Sequence, residues 1–153
     1  MRVLVLGSGA REHALCVALH GDPAVDQVLC APGNAGIAAL TEVRPVRVDD
    51  PTAVAALAVE VDADLVVVGP EVPLVAGVAD AVRGAGVACF GPSAAAARIE
   101  GSKSFAKSVM RDARVATAAA DVFDDAQACE AHLAQVAPPY VVKADGLAAG
   151  KGV

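Results

Sequence analysis

Four short apolar runs, each ending in a glycine turn, limit this chain to a small set of folds. They are Val3-Leu4-Val5-Leu6 before Gly7, Val28-Leu29-Cys30 before Gly33, Asp64 to Val68 before Gly69, and Val87 to Phe90 before Gly91. Each is followed by a segment with helical character, so the unit strand, turn, helix repeats along the first hundred residues. The run Leu65-Val66-Val67-Val68 is apolar on both faces, which suits the middle of a parallel sheet covered on both sides by helices. The implied fold class is α/β: a Rossmann-like parallel sheet with helices on both faces. Its glycine turns gather along the carboxyl edge, where ligands bind in open sheets of this kind.

The spacing predicts a first helix to about Leu19, stopped by His20-Gly21-Asp22-Pro23. A weaker strand is expected at Val46 to Val48. Asp50 with Pro51 starts a helix over Thr52 to about Val61, a helix follows from about Leu74 to Arg83, and Ser93 caps an alanine-rich helix to Glu100. After Gly101 the pattern changes. Ser102 caps a more polar helix over Lys103 to Asp112, a helix runs from Asp124 to Val136, and Tyr140 to Ala144 reads as a strand leading into Asp145-Gly146-Leu147-Ala148-Ala149-Gly150-Lys151-Gly152-Val153. Two domains are expected, 1–101 and 102–153, the second an unfinished sheet.

Several function classes fall away. The formal charge of −6 and the lack of a basic stripe argue against nucleic acid. No apolar run approaches membrane-spanning length, and the N-terminus does not read as a signal peptide, so a cytoplasmic protein is expected. Cys16, Cys30, Cys89 and Cys129 lack metal-type spacing and read as inert thiols.

The opening loop, Gly7-Ser8-Gly9-Ala10-Arg11-Glu12, matches the dinucleotide fingerprint only in part, with Glu12 at the place of the third glycine. The acid that would hold the ribose hydroxyls is missing after the second strand, where Cys30-Ala31-Pro32-Gly33 stands. Both departures weigh against an NAD-dependent oxidoreductase domain, which stays open as an alternative. Arg11 can hold a phosphate, and Glu12 can accept from hydroxyls or an amine. The bland reading makes Arg11, Glu12 and His13 a solvated first turn, Asn34 a turn residue and Glu71 an exposed acid at a strand exit. The terminal run fails the P-loop pattern, since Gly152 stands where Ser or Thr would bind magnesium. Lys143 and Lys151 around a glycine loop suit a flap over a triphosphate; a surface turn with solvated lysines is the bland reading.

Taken together, GSGAREHAL at 7–15, APGNAG at 31–36, VVGPEVPLVAGV at 67–78, FGPS at 90–93, EGSKSFAK at 100–107 and VVKADGLAAGKGV at 141–153 resemble the amino-terminal part of the glycinamide ribonucleotide synthetase (phosphoribosylamine–glycine ligase) family. That family belongs to the ATP-grasp ligases, so the resemblance makes residues 102–153 a linker helix and the start of an α+β ATP-grasp small lobe. It implies a reaction of purine biosynthesis. ATP phosphorylates glycine, and the amine of 5-phosphoribosylamine attacks the acyl phosphate to give glycinamide ribonucleotide. It further implies that Gly9, Arg11, Glu12, His13, Asn34, Gly36 and Glu71 line the phosphoribosylamine side. Lys103, Lys143, Gly150, Lys151 and Gly152 would serve ATP. Mg²⁺ or Mn²⁺ is implied, with ligands beyond these residues, and no catalytic or metal-binding residue is assignable here. The implied partners are phosphoribosylamine, glycine and ATP, on a monomer with no membrane or nucleic-acid role. The 153 residues on their own are expected to be inactive. A stand-alone phosphoribosyl-binding module is the other alternative.

Overall fold

The computed structural model describes residues 1–148. The chain divides into two compact units, Met1–Ala97 and the residues from Arg98 onward.

In the first unit, strands β1 (Arg2–Gly7), β2 (Gln27–Pro32), β3 (Glu42–Val43), β4 (Leu65–Val68) and β5 (Ala88–Phe90) form one sheet in the order β3-β2-β1-β4-β5. Every neighbouring pair is parallel. Helices α1 (Ala10–His20), α2 (Ala35–Ala38), α3 (Pro51–Glu60), α4 (Glu71–Val75), α5 (Val78–Gly84) and α6 (Ala94–Gly101) connect or follow the strands. The unit boundary falls within α6. Because side chains alternate along a strand, each face of the sheet has its own core. Leu4, Leu6, Leu29, Val66 and Val68 pack with Val54, Leu57 and Ala58 of α3 and with Val78 and Val82 of α5. Val3, Val5, Val28, Cys30 and Val67 pack with Cys16 of α1 and Ile37 of α2. Helices therefore cover both faces, as the apolar runs require. Along β1, Val3 to Leu6 are fully buried.

Three elements of this unit differ from the sequence expectation. The third strand is Glu42–Val43, pairing with Leu29 and Cys30, and not Val46 to Val48. The Arg44 N–H still reaches the Cys30 carbonyl at 2.9 Å, but Pro45 has no N–H to continue the ladder. Val46 and Val48 keep their apolar role by packing on the core from a loop. The helix expected over Leu74 to Arg83 begins earlier, at Glu71, and is divided by Gly77, whose φ of 93° is left-handed. Asn34 does more than turn the chain. Its side chain accepts the Ile37 N–H at 2.9 Å and starts α2, an element the sequence did not announce.

Asp50 caps α3 as expected, accepting the Ala53 N–H at 3.0 Å with Pro51 in the first turn. Asp50→Ala is expected to destabilise this unit by about 1 kcal/mol, the usual worth of such a cap, measured by urea unfolding.

In the second unit, α7 (Lys103–Asp112) is capped by Ser102, which accepts the Phe105 N–H, and α8 (Ala126–Leu133) by Asp125. The Arg98 guanidinium lies 4.0 Å from the centre of the Phe105 ring. The expected strand at Tyr140 to Ala144 is not formed. A strand needs a hydrogen-bonding neighbour, and the described residues of this unit hold no other strand. No helix among the described residues is long and apolar enough to cross a membrane.

Candidate functional site

The order β3-β2-β1-β4-β5 makes the chain reverse direction between β1 and β4, and a crevice opens at such a switch point beyond the strand ends. The loops after β1, β2 and β4 meet there. The Gly33 N–H donates to the Gly7 carbonyl at 3.1 Å, and the Gly69 N–H to the Leu6 carbonyl at 3.1 Å. Asn34 Nδ2 donates to the Ser8 carbonyl at 2.8 Å, so the residue that starts α2 also ties the second loop to the first.

Glu12 sits inside this joint. It is 4% exposed, and its Oε2 accepts the Gly9 N–H at 2.6 Å. Gly9 has no side chain to cap α1, but Glu12, at the third helical position, accepts the Gly9 N–H and so supplies the returning half of a capping box. The same carboxylate explains three glycines. A Cβ at Gly7 would lie 2.6 Å from Glu12 Cγ, and one at Gly9 2.9 Å from Oε2. A Cβ at Gly69 would run into Oε1 and lie 2.7 Å from Cδ. Gly9, where a dinucleotide site would admit the pyrophosphate, here admits the chain's own acid, as do Gly7 and Gly69. Glu12 is thus no part of a solvated first turn.

Arg11 and Glu71 face the solvent side of the same joint. Arg11 Nη1 donates to the Gly69 carbonyl, and both terminal nitrogens lie 3.3 Å from Glu71 Oε1. The two side chains are 58% and 45% exposed, so a ligand can reach both. On the β2 side, a Cβ at Gly36 would lie 3.0 Å from His13 Cε1, which places the half-buried imidazole directly over that glycine. The structure therefore gathers Gly9, Arg11, Glu12 and Glu71 between β1 and β4, and His13, Asn34 and Gly36 beside them.

Beneath the loop lies Cys30, buried and free as the sequence leads one to expect. The Cys30 thiol donates to the Gly7 carbonyl at 3.4 Å. Burial, and after it the neighbouring Cys16 thiol, pushes its pKa up to about 12, so it stays a neutral donor at ordinary pH.

In the second unit, Lys103 Nζ donates to the Gly146 carbonyl at 2.7 Å, and Lys143 is exposed. Gly150, Lys151 and Gly152 lie outside the described residues. Sequence reasoning missed Asp145, which accepts from Ser102, Lys103 and Ser104 at the start of α7. The Ser104 hydroxyl first, then the Ser104 N–H, hold its carboxyl well below the usual carboxylate range. An acid alone among the Gly, Ala and Leu residues of 144–150 is the signal the sequence offers. A groove of about 490 Å³ along α7 and its connector, lined by Lys107, Met110, Arg111, Arg114, Val115 and Asp121 among others, contains no residue singled out from the sequence. Convergence of polar groups favours the loops. Among the described residues no group of three or more His, Cys, Asp or Glu could hold a metal ion.

A family model described as phosphoribosylglycinamide synthetase, N domain, matches residues 1–100, and one described as its ATP-grasp (A) domain matches residues 101–153. The chain is 61% identical over 153 residues to a phosphoribosylamine–glycine ligase of Streptomyces coelicolor, covering all of this chain and 37% of that one. It is 58% identical over 158 residues to one of Mycobacterium bovis, with the same shares. The crystal structure of phosphoribosylamine–glycine ligase from Thermotoga maritima superposes with a TM-score of 0.74 at 31% identity, over 99% of this chain and 35% of that one. The chain thus spans little more than a third of the length of these relatives.

Proposed function

The chain belongs to the phosphoribosylglycinamide synthetase family, and from that premise we propose that it serves the ATP-dependent joining of glycine to 5-phosphoribosylamine. In that reaction ATP phosphorylates the glycine carboxylate, and the sugar's amine displaces phosphate from the acyl phosphate to give glycinamide ribonucleotide. The first unit is the seat of the phosphorylated amino sugar. The observation that carries this reading is the exposed Arg11 guanidinium at the switch point, held in place by the Gly69 carbonyl and Glu71.

Arg11 offers a planar fork suited to a phosphate. An exposed ion pair is worth only about 0–1 kcal/mol, so an incoming phosphate can replace Glu71 at little cost. Glu71 is then free to accept from ribose hydroxyls or the amine. Asn34 and the buried Glu12 hold the loops at the spacing the sugar meets; Glu12, with one oxygen already on the Gly9 N–H, acts from below the ligand.

Lys103 and Lys143, with Gly150, Lys151 and Gly152, serve the ATP side. A divalent cation would supply charge neutralisation to phosphoryl transfer; among the described residues no group of three or more His, Cys, Asp or Glu could hold one. A dinucleotide reading is disfavoured by the Gly9 N–H, which Glu12 occupies.

Calorimetric titration of the chain with ribose 5-phosphate tests the sugar side. Saturable binding with 1:1 stoichiometry, weakened by salt, is expected. NADH binding with no response to ribose 5-phosphate would reverse the assignment.

A further inference from the structure

Asp145 makes a closed joint with the start of α7. Its Oδ1 accepts the Lys103 N–H at 2.5 Å and the Ser104 N–H at 3.2 Å, while Oδ2 accepts the Ser102 hydroxyl at 3.0 Å and the Ser104 hydroxyl at 2.7 Å. A carboxylate has about four acceptor positions, and here all are taken by the protein. Lys103 Nζ answers in the opposite direction, donating to the Gly146 carbonyl at 2.7 Å. Gly146 has φ of 89°, so the backbone turns sharply just where it is gripped. The joint is local in space but spans more than forty residues of sequence. With no strand formed at Tyr140 to Ala144, it is the anchorage that the described residues give the segment around Lys143.

We infer that Asp145 is a positioning residue for the nucleotide phosphates: it fixes the segment bearing Lys143 against the helix start bearing Lys103, so that the two lysines act as one preformed unit. Lys143 lies two residues before Asp145, and two extended residues span at most about 7 Å, so fixing Asp145 keeps the Lys143 backbone within that distance of the helix start. A saturated carboxylate is unsuited to bind metal or substrate itself. Preordering the lysines lowers the entropy lost when phosphate arrives. This inference rests on the ATP side of the proposed ligase function.

The test uses the complete gene product in the glycine- and phosphoribosylamine-dependent reaction, with amide hydrogen exchange alongside. Asp145→Ala is expected to raise KM for ATP about tenfold, in line with loss of charge-assisted hydrogen bonds. KM for phosphoribosylamine should stay within about twofold, and the Lys103 and Ser104 amides should exchange faster. Asp145→Asn keeps one oxygen for the two N–H groups, and the serine hydroxyls can rotate to accept from its NH₂, so it should restore most of the ATP affinity. An unchanged KM for ATP in Asp145→Ala, a rise in both KM values together, or amides unaffected by the substitution would each overturn the inference. If the unsubstituted protein consumes no ATP with both substrates present, the ligase reading itself fails and takes this role with it.

Discussion

Gly69→Ala is expected to destabilise the first unit by about 2–4 kcal/mol, the cost of overpacking plus a displaced hydrogen bond. The added methyl would occupy the place of Glu12 Oε1 and lie 2.7 Å from Cδ. Glu12 has nowhere to retreat, because it is 4% exposed and already in close contact with Gly7 and Gly9. Pushing it aside leaves the Gly9 N–H without its acceptor. Urea unfolding of Gly69→Ala, Glu12→Ala and the double variant separates this from a general effect on the strand. If the methyl and the carboxylate compete for one space, the double variant should be more stable than the sum of the singles predicts by at least about 1 kcal/mol. Simple additivity would show that Glu12 is not what the glycine accommodates.

Arg11→Ala is expected to weaken ribose 5-phosphate binding about 10- to 100-fold, the range for losing charge-assisted hydrogen bonds to phosphate. The side chain is more than half exposed and its ion pair with Glu71 is a surface one, so the fold should change by no more than about 0.5 kcal/mol. Arg11→Lys should fall between, because a lysine keeps the charge and loses the fork. Calorimetry beside a denaturation curve reads both quantities. Equal affinity in Arg11→Ala and the unsubstituted chain would remove Arg11 from the sugar site.

How far the sequence reveals such a structure depends on the range of the interaction concerned. β1 and β4 are legible because an apolar run with no polar break has one use, the middle of a covered parallel sheet. The cap at Asp50 is legible because its partner N–H is three residues away. The third strand is not legible, because Val46 and Val48 look more like a strand than Glu42-Val43. Only the ladder to β2 shows that Pro45 ends the pairing. At the site, the departure of Glu12 from a glycine pattern was visible, but its burial was not. That burial needs Gly69, more than fifty residues away, as one wall. Asp145 escaped for the same reason, since its donors lie about forty residues earlier and pattern reading weighs neighbours.

The place of β1 at the centre of the sheet has a consequence for how the molecule is made. Its two neighbours are β2 and β4, and β4 follows it by some sixty residues. At about 5–20 residues per second, the ribosome delivers β4 roughly 3–12 seconds after β1. For that interval Val3 to Leu6, later among the fully enclosed side chains of the sheet, lack half their partners. The nascent chain therefore offers an apolar, β-prone stretch to whatever chaperone waits at the tunnel exit. The waiting ends when Leu65 to Val68 emerge.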